Sequence, residues 1–271
     1  MNTTGRPRQR AKKSLGQHLL TDIETCRTVV RDANIVPGSR VLEVGPGRGF
    51  LTRTLLEAEA QVVAVEKDRE LIPHLRTRFP DAPLELIDGD FPDVHLDKLG
   101  SFDAVVGELR YNLGLAIVSK RCKHWPLWKR AVFMLQLEVV ERICAKPNTK
   151  AYGVPSVVVA STHVAQLTRR VGPGSFVPRP KVHSALVRLI PKNPPLVDGM
   201  ERENFLNFVG DAFRFRRKTS LNAVSRAVGR PGADLKADFN GVGMDPKRRL
   251  ETCSVEELLN LWNAVKTEPI Q

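Results

Sequence analysis

Val41-Leu-Glu-Val-Gly-Pro-Gly-Arg-Gly-Phe50 is the stretch on which the fold turns. An apolar run of strand type meets glycines at 45 and 47, and helical periodicity resumes near Phe50. Gly45 and Gly47 allow a sharp turn and a close approach of backbone to a ligand. The amides exposed where the next helix begins favour polar or anionic groups. A glycine turn after a strand also occurs as a purely structural tight turn, so its meaning depends on what surrounds it.

Outward from this turn, short apolar runs alternate with helical segments. Strands are expected at Arg40 to Val44, Gln61 to Glu66, Leu84 to Ile87, Ala104 to Gly107, Ala131 to Leu135, Val157 to Val164 and Ala185 to Ile190. That rhythm predicts an α/β fold, a Rossmann-like sheet covered by helices on both faces. Little helix separates the last two strands, which predicts an antiparallel hairpin at one edge. Asp22 to Ala33 reads as a first helix, with Ile23, Cys26, Val29 and Val30 at helical spacing before Val36-Pro37-Gly38. The turn-forming segment from Pro191 to Gly199 reads as a linker. Beyond it, Phe205, Leu206, Phe208, Val209, Ala212 and Phe213 share a helical face, and Ser254 with Glu257 forms a capping-box signature. The expected organisation is a ligand-binding domain over 1–192 with a basic N-terminal arm, then a small helical domain over 197–271.

Two acids give the turn its meaning. Glu66 ends the strand after the glycine turn, about 20 residues on, where a carboxylate accepts the ribose hydroxyls of an adenosine cofactor. This much fits a nicotinamide or a methionine-derived cofactor equally. The third strand runs into Leu86-Ile-Asp-Gly-Asp90, which brings Asp90 to the carboxyl edge of the sheet, able to accept from an adenine amino group, with Phe91 next to it to cover the ring. Taken alone, Asp90 also reads as a helix cap or turn acid.

The totals narrow the partners. The 271 residues carry a formal charge of +12 and 42% hydrophobic residues, which fits a folded protein with phosphate-rich partners. Cys26, Cys122, Cys144 and Cys253 have no paired spacing for zinc or for a disulfide framework. No apolar run has the length of a membrane span or the form of a secretory signal, so a cytoplasmic protein without membrane or metal is expected. Arg6, Arg8, Arg10, Lys12 and Lys13 with no acid among them fit either a transit peptide or an RNA-contacting arm. The run leads directly into SLGQHLL, which favours the arm.

Several separated motifs agree with one family. They are SLGQHLLTD (Ser14 to Asp22), FMLQLEVVERI (Phe133 to Ile143), TKAYG (Thr149 to Gly153), SFVPRPKVHSALVRL (Ser175 to Leu189), FRFRRKTSLN (Phe213 to Asn222) and GMDPKRRLE (Gly243 to Glu251). With the cofactor turns, they resemble the KsgA/Dim/Erm family of ribosomal RNA adenine dimethyltransferases, from about Ser14 to near the C-terminus. The last two favour the KsgA/Dim branch. The resemblance implies S-adenosylmethionine as cofactor and adenines of small-subunit ribosomal RNA as substrate, methylated during ribosome assembly by a monomer. It further implies that His18 and Leu20 lie at the methionine part of the cofactor and Gly45 against it, with Gln17 and Gly47 also cofactor-binding. Glu66, Asp90 and Phe91 would then hold ribose and adenine. His18 stands where the family more often has Asn.

One motif departs from the family. Where the family has Asn-Leu-Pro-Tyr or Asn-Leu-Pro-Phe at the end of the fourth strand, this chain has Glu108-Leu109-Arg110-Tyr111. Tyr111 keeps a ring for stacking on the target base, and Glu108 keeps an acceptor oxygen beside the cofactor but adds an acidic group. Arg110 lacks the fixed φ of proline and adds a cation. Glu108 and Tyr111 are therefore the candidate catalytic residues. Two readings stay open: a working methyltransferase, or a weakened or inactive RNA-binding assembly factor on the same fold.

RNA contact is expected from Arg214, Arg216, Arg217 and Lys218 at the end of an amphipathic helix, where cations also suit the negative helix terminus. Phe176 matches a family aromatic near the target base; a core phenylalanine is the other reading. Trp125 and Trp128 are expected to pack a turn before the fifth strand rather than to bind a nucleic acid.

Overall fold

The computed structural model describes residues 19–109 and 128–266. The basic arm, Gln17, His18, Arg110, Tyr111, Cys122 and Trp125 lie outside the described residues. The described residues pack as two compact units. The first contains 19–109, 128–137 and 168–188, and the second 138–167 and 189–266.

Seven strands form one sheet: β2 (Arg40–Val44), β3 (Gln61–Glu66), β4 (Leu84–Asp88), β5 (Phe102–Glu108), β6 (Trp128–Gln136), β7 (His163–Val171) and β9 (Ser184–Pro191). Their spatial order is β4-β3-β2-β5-β6-β9-β7. The β2, β3, β4, β5 and β6 ladder is parallel, with Val44 opposite both Val65 and Gly107, Glu66 opposite Asp88, and Glu108 opposite Met134. Val41, Leu42, Val62, Val63, Val105 and Val106 are buried, as expected of β-branched runs covered on both faces of a parallel sheet. β7 and β9 are neighbours at one edge, where the sequence places its last two strands. β1 (Leu19–Leu20) and β8 (Phe176–Val177) form a separate antiparallel pair, Leu20 opposite Phe176.

The first unit also holds helices α1 (Ile23–Asp32), α2 (Phe50–Glu57) and α3 (Leu71–Arg78). Asp22 caps α1, its carboxylate accepting from the Glu24 N–H at 3.1 Å and the Thr25 hydroxyl at 2.6 Å. Cys26, Val29 and Ala33 join Val41, Leu55, Val62, Ala104, Val132 and Leu186 in one core.

In the second unit the helices are α4 (Leu137–Ile143, all but its first residue), α5 (Val154–Ala160), α6 (Gly199–Phe213), α7 (Ser220–Val228), α8 (Gly232–Gly241) and α9 (Val255–Val265). Phe205, Phe208, Val209, Ala212 and Phe213 of α6 are buried with Tyr152, Leu235, Phe239, Leu258 and Trp262. The Ser254 capping box forms as its sequence predicts: the Ser254 N–H donates to Glu257 Oε2 at 2.7 Å, and the Glu257 N–H donates to Ser254 Oγ at 3.1 Å.

One expected strand is a helix. Residues 154–160 form α5, which takes up the start of the run assigned to Val157 to Val164, and β7 begins only at His163. Pro155 sits in the first turn of α5, where a missing N–H costs nothing. The Gly153 N–H is satisfied by Ser156 Oγ at 3.1 Å, and Ser156 Oγ itself donates to the Arg142 carbonyl at 2.6 Å. Val157 and Val159 are fully buried, and a short run buried all round carries no period by which helix and strand are told apart. Trp128 likewise opens β6 itself, buried, rather than packing a preceding turn. Cys26, Cys144 and Cys253 are free thiols.

Candidate functional site

At β2 the strand order reverses, with β3 on one side and β5 on the other, and crevices for ligands form at the carboxyl ends of strands around such a point. The glycine turn leaves β2 here. Gly45 and Gly47 have φ of 69° and 57°, in the left-handed region that side chains disfavour. A Cβ on Gly47 would lie 3.4 Å from Leu19 Cδ2, so the entry strand β1 runs close against the turn. Gly107, opposite Val44, has no room for any side chain: a Cβ there would come within 2.4 Å of the Val44 carbonyl oxygen.

Glu66 is locked at the end of β3. Oε2 accepts the Gly47 N–H at 3.0 Å and Oε1 the Asp68 N–H at 2.8 Å, while its backbone carbonyl accepts the Gly89 N–H at 3.0 Å. Burial raises the Glu66 pKa, and the backbone amides of Asp68, Gly47 and Lys67 oppose that rise. Asp90 follows β4, and Lys67 Nζ bonds its Oδ2. Among the described residues, none donates to Asp90 Oδ1. Phe91 is buried, its ring turned into the protein.

Glu108 closes β5. Its carboxyl is enclosed by protein, although the residue keeps some exposed surface, and the Leu20 N–H donates to it. Burial pushes its pKa up to about 8 against that hydrogen bond. Leu109 is buried, its N–H bonded to the Met134 carbonyl at 3.1 Å. The structure thus gathers Leu20, Gly45, Gly47, Glu66, Asp90, Phe91 and Glu108 within the first unit. Phe176 belongs to the same unit but is a core residue, 1% exposed and paired with Leu20. Arg214, Arg216, Arg217 and Lys218 lie in the second unit, all exposed, in the turn that ends α6. Arg214 pairs with Asp211 at 3.7 Å.

Three site features escaped the sequence reading. Glu43, two residues before Gly45, is buried, accepts the Thr52 hydroxyl on Oε2 at 2.7 Å, and is pushed by burial to a pKa of about 8. An acid inside the run VLEV was the available signal. Lys67 and Gly107 carry no signal of their own; only the strand ends that the fold juxtaposes reveal them.

A family model described as ribosomal RNA adenine dimethylase matches residues 8–267. The chain belongs to the ribosomal RNA adenine dimethylase family. Ribosomal RNA small subunit methyltransferase A of Geobacter metallireducens is 36% identical over 263 residues, covering 94% of this chain and 96% of that protein. The protein of the same name from Chlorobaculum tepidum is 37% identical over 262 residues, with 94% and 90% covered. A dimethyladenosine transferase from Plasmodium falciparum has the same fold, with a TM-score of 0.81 at 24% identity over 91% of this chain and 98% of that one. The 23S rRNA methyltransferase ErmE gives 0.70 at 27% identity, over 91% and 99%.

Adenine dimethylases use S-adenosylmethionine, and the residues present fit that group. Backbone without side chains borders the space beside Gly45 and Gly47, the Glu66 carboxylate suits a ribose diol, and Asp90 Oδ1 suits an amino hydrogen. A dehydrogenase reading, which the glycine turn and Glu66 alone would allow, does not survive the family assignment.

Proposed function

We propose that this chain dimethylates adenine amino groups of small-subunit ribosomal RNA during ribosome assembly, as a cytoplasmic monomer. The observation that carries the reading is the Glu66 carboxylate fixed by the Gly47 and Asp68 amides at the switch point, beside Asp90, in a member of the adenine dimethylase family. Supporting the choice of RNA are the names of its relatives and the basic turn after α6.

Bound S-adenosylmethionine supplies a sulfonium-activated methyl group. The protein's task is to hold it and to present a nitrogen whose lone pair is otherwise drawn into the adenine ring. Glu66 accepts the ribose hydroxyls, Asp90 the cofactor's own adenine amino group, and the turn at Gly45 and Gly47 lets backbone approach. By the family resemblance, His18 and Leu20 are assigned to the methionine end and Gln17 to the cofactor site. Glu108 offers a carboxyl oxygen to an amino hydrogen of the target base, and Tyr111 stacks on that base, a contact of about 1–3 kcal/mol in nucleic-acid binding generally. Held by Glu66, Asp90 and the glycine turn, the cofactor would supply the methyl group to the amino nitrogen, and the proton that nitrogen loses would pass to water. A division of labour belongs to this reading, with cofactor chemistry in the first unit and RNA contact through Arg214, Arg216, Arg217 and Lys218 in the second, which also takes up 138–167 and 189–192 of the segment expected to form the first domain.

The test incubates the protein with labelled S-adenosylmethionine and small ribosomal subunits lacking adenine methylation, beside the double variant Glu108→Asn, Arg110→Pro. Label in ribosomal RNA from the natural chain is expected. Label only after the double substitution would replace the enzyme by an RNA-binding assembly factor.

A further inference from the structure

The carboxyl ends of β3 and β4 are stitched together more tightly than a parallel pair requires. Besides the Gly89 N–H bond to the Glu66 carbonyl, Arg69 pairs with Asp88 at 2.8 Å, and Lys67 Nζ bonds Asp90 Oδ2. The two ion pairs differ in setting. Arg69 and Asp88 are surface groups, whereas Asp90 is largely covered and Lys67 is half-covered. Lys67 also follows Glu66 directly in the chain, so one residue links the strand end that carries the ribose acid to the acid assigned to adenine.

We propose that Lys67 is a positioning residue for the cofactor's adenine, and that it sets the preference for a 6-amino purine by orienting Asp90; the proposal rests on the S-adenosylmethionine reading of this site. An Asp carboxylate turns readily about its last torsion, so either oxygen or neither can face a ligand. The ammonium of Lys67 occupies Oδ2 and leaves Oδ1 as the oxygen available to a ligand. An oriented carboxylate accepts from an amino group and repels a 6-oxo group, whose oxygen is itself an acceptor. Without the lysine, Asp90 keeps its charge but loses its fixed direction.

The measurement is calorimetric binding of S-adenosylhomocysteine and of S-inosylhomocysteine, its 6-oxo analogue, to the full chain. The variants are Lys67→Met, Lys67→Arg, Asp90→Asn and the pair Lys67→Met with Asp90→Asn. Lys67→Met is expected to weaken the 6-amino ligand about fivefold, the scale of one oriented charge pair, with little change for the 6-oxo ligand. Lys67→Arg should restore the preference, and Lys67→Met should add nothing once Asp90→Asn is in place. Equal weakening of both ligands, an unchanged preference in Lys67→Met, or the same loss when Lys67→Met is added to Asp90→Asn would each overturn the proposal. Failure of the unsubstituted chain to bind either ligand would instead overturn the cofactor reading on which it stands. Melting temperature, expected to stay level for a half-covered surface lysine, separates these outcomes from misfolding.

Discussion

The Leu20 N–H donates to the carboxyl group of Glu108, which joins the entry strand β1 to the end of β5. Through Leu20 and Phe176 the same strand is paired with β8, and through Leu19 it lies against Gly47. A family position that usually carries an amide is occupied here by an acid that already has a backbone donor. The acid is therefore held in place, and its charge state becomes the variable.

Burial raises the Glu108 pKa to about 8, so the carboxyl is neutral at lower pH and ionises above it. A cationic ligand nearby favours the ionised form. By linkage, affinity for S-adenosylmethionine should rise as pH increases through about 8, while the neutral product S-adenosylhomocysteine should show no matching rise. Glu108→Gln keeps an oxygen for the Leu20 amide and should remove the difference between the two ligands. Titration calorimetry between about pH 6.5 and 9 brackets that transition; a difference that persists in Glu108→Gln assigns the titration to another group.

Glu43 predicts a pH dependence of stability rather than binding. Its folded pKa is raised from 4.5 to about 8 by burial. Its contribution to stability is therefore fully present below about pH 4.5 and is lost as pH rises to about 8. Glu43→Gln, whose carbonyl can still accept the Thr52 hydroxyl, should flatten that decline and gain about 1–3 kcal/mol at about pH 8 relative to the natural chain. Urea unfolding at about pH 5.5 and about pH 8 gives the comparison.

The parallel part of the fold was legible because its strands are short, β-branched and bounded by turn residues. Arg40–Val44 and Gln61–Glu66 match their expected limits. The Ser254 to Glu257 cap was equally plain, since it is a local hydrogen-bond pattern. Val154–Ala160 was not, because an apolar run buried on every side loses the periodicity that separates helix from strand. Among the candidate site residues, Glu66 was marked by its spacing after the glycine turn and Asp90 by the end of the third strand, and the structure puts both at strand ends of the first unit. Lys67 was invisible as a partner, since its contact with Asp90 joins the ends of two different strands. Phe176 shows the limit in the other direction. The motif match left two readings, an aromatic at the target base or a core phenylalanine; at 1% exposure its ring is part of the core, and Val177, 61% exposed, is the residue of β8 that faces outward.

Gly107→Ala tests how closely β2 and β5 must approach. The added Cβ would lie 2.4 Å from the Val44 carbonyl oxygen and 2.9 Å from the Val44 Cβ. Neither is the end of a flexible side chain, so the strands must part. The expected cost is about 1–3 kcal/mol of stability, read from urea unfolding. Because Val44 leads into Gly45 and Gly107 into Glu108, S-adenosylhomocysteine affinity should fall as well. A stable variant with natural affinity would mean that the strand ends tolerate separation.

Arg216 and Arg217 are exposed in the turn after α6, so replacing them should leave the fold unchanged and act on RNA binding alone. If both meet phosphates, each contact releases condensed counterions when RNA binds. The slope of log affinity against log salt should then become shallower by about 0.7 to 0.9 for each arginine replaced by alanine. The loss should be the same for ribosomal RNA fragments of unrelated sequence, since phosphates carry no sequence information. Filter binding across a salt series provides both quantities. An unchanged slope with unchanged affinity would remove this turn from the RNA surface and return its cations to the ordinary role of balancing the carboxyl end of α6.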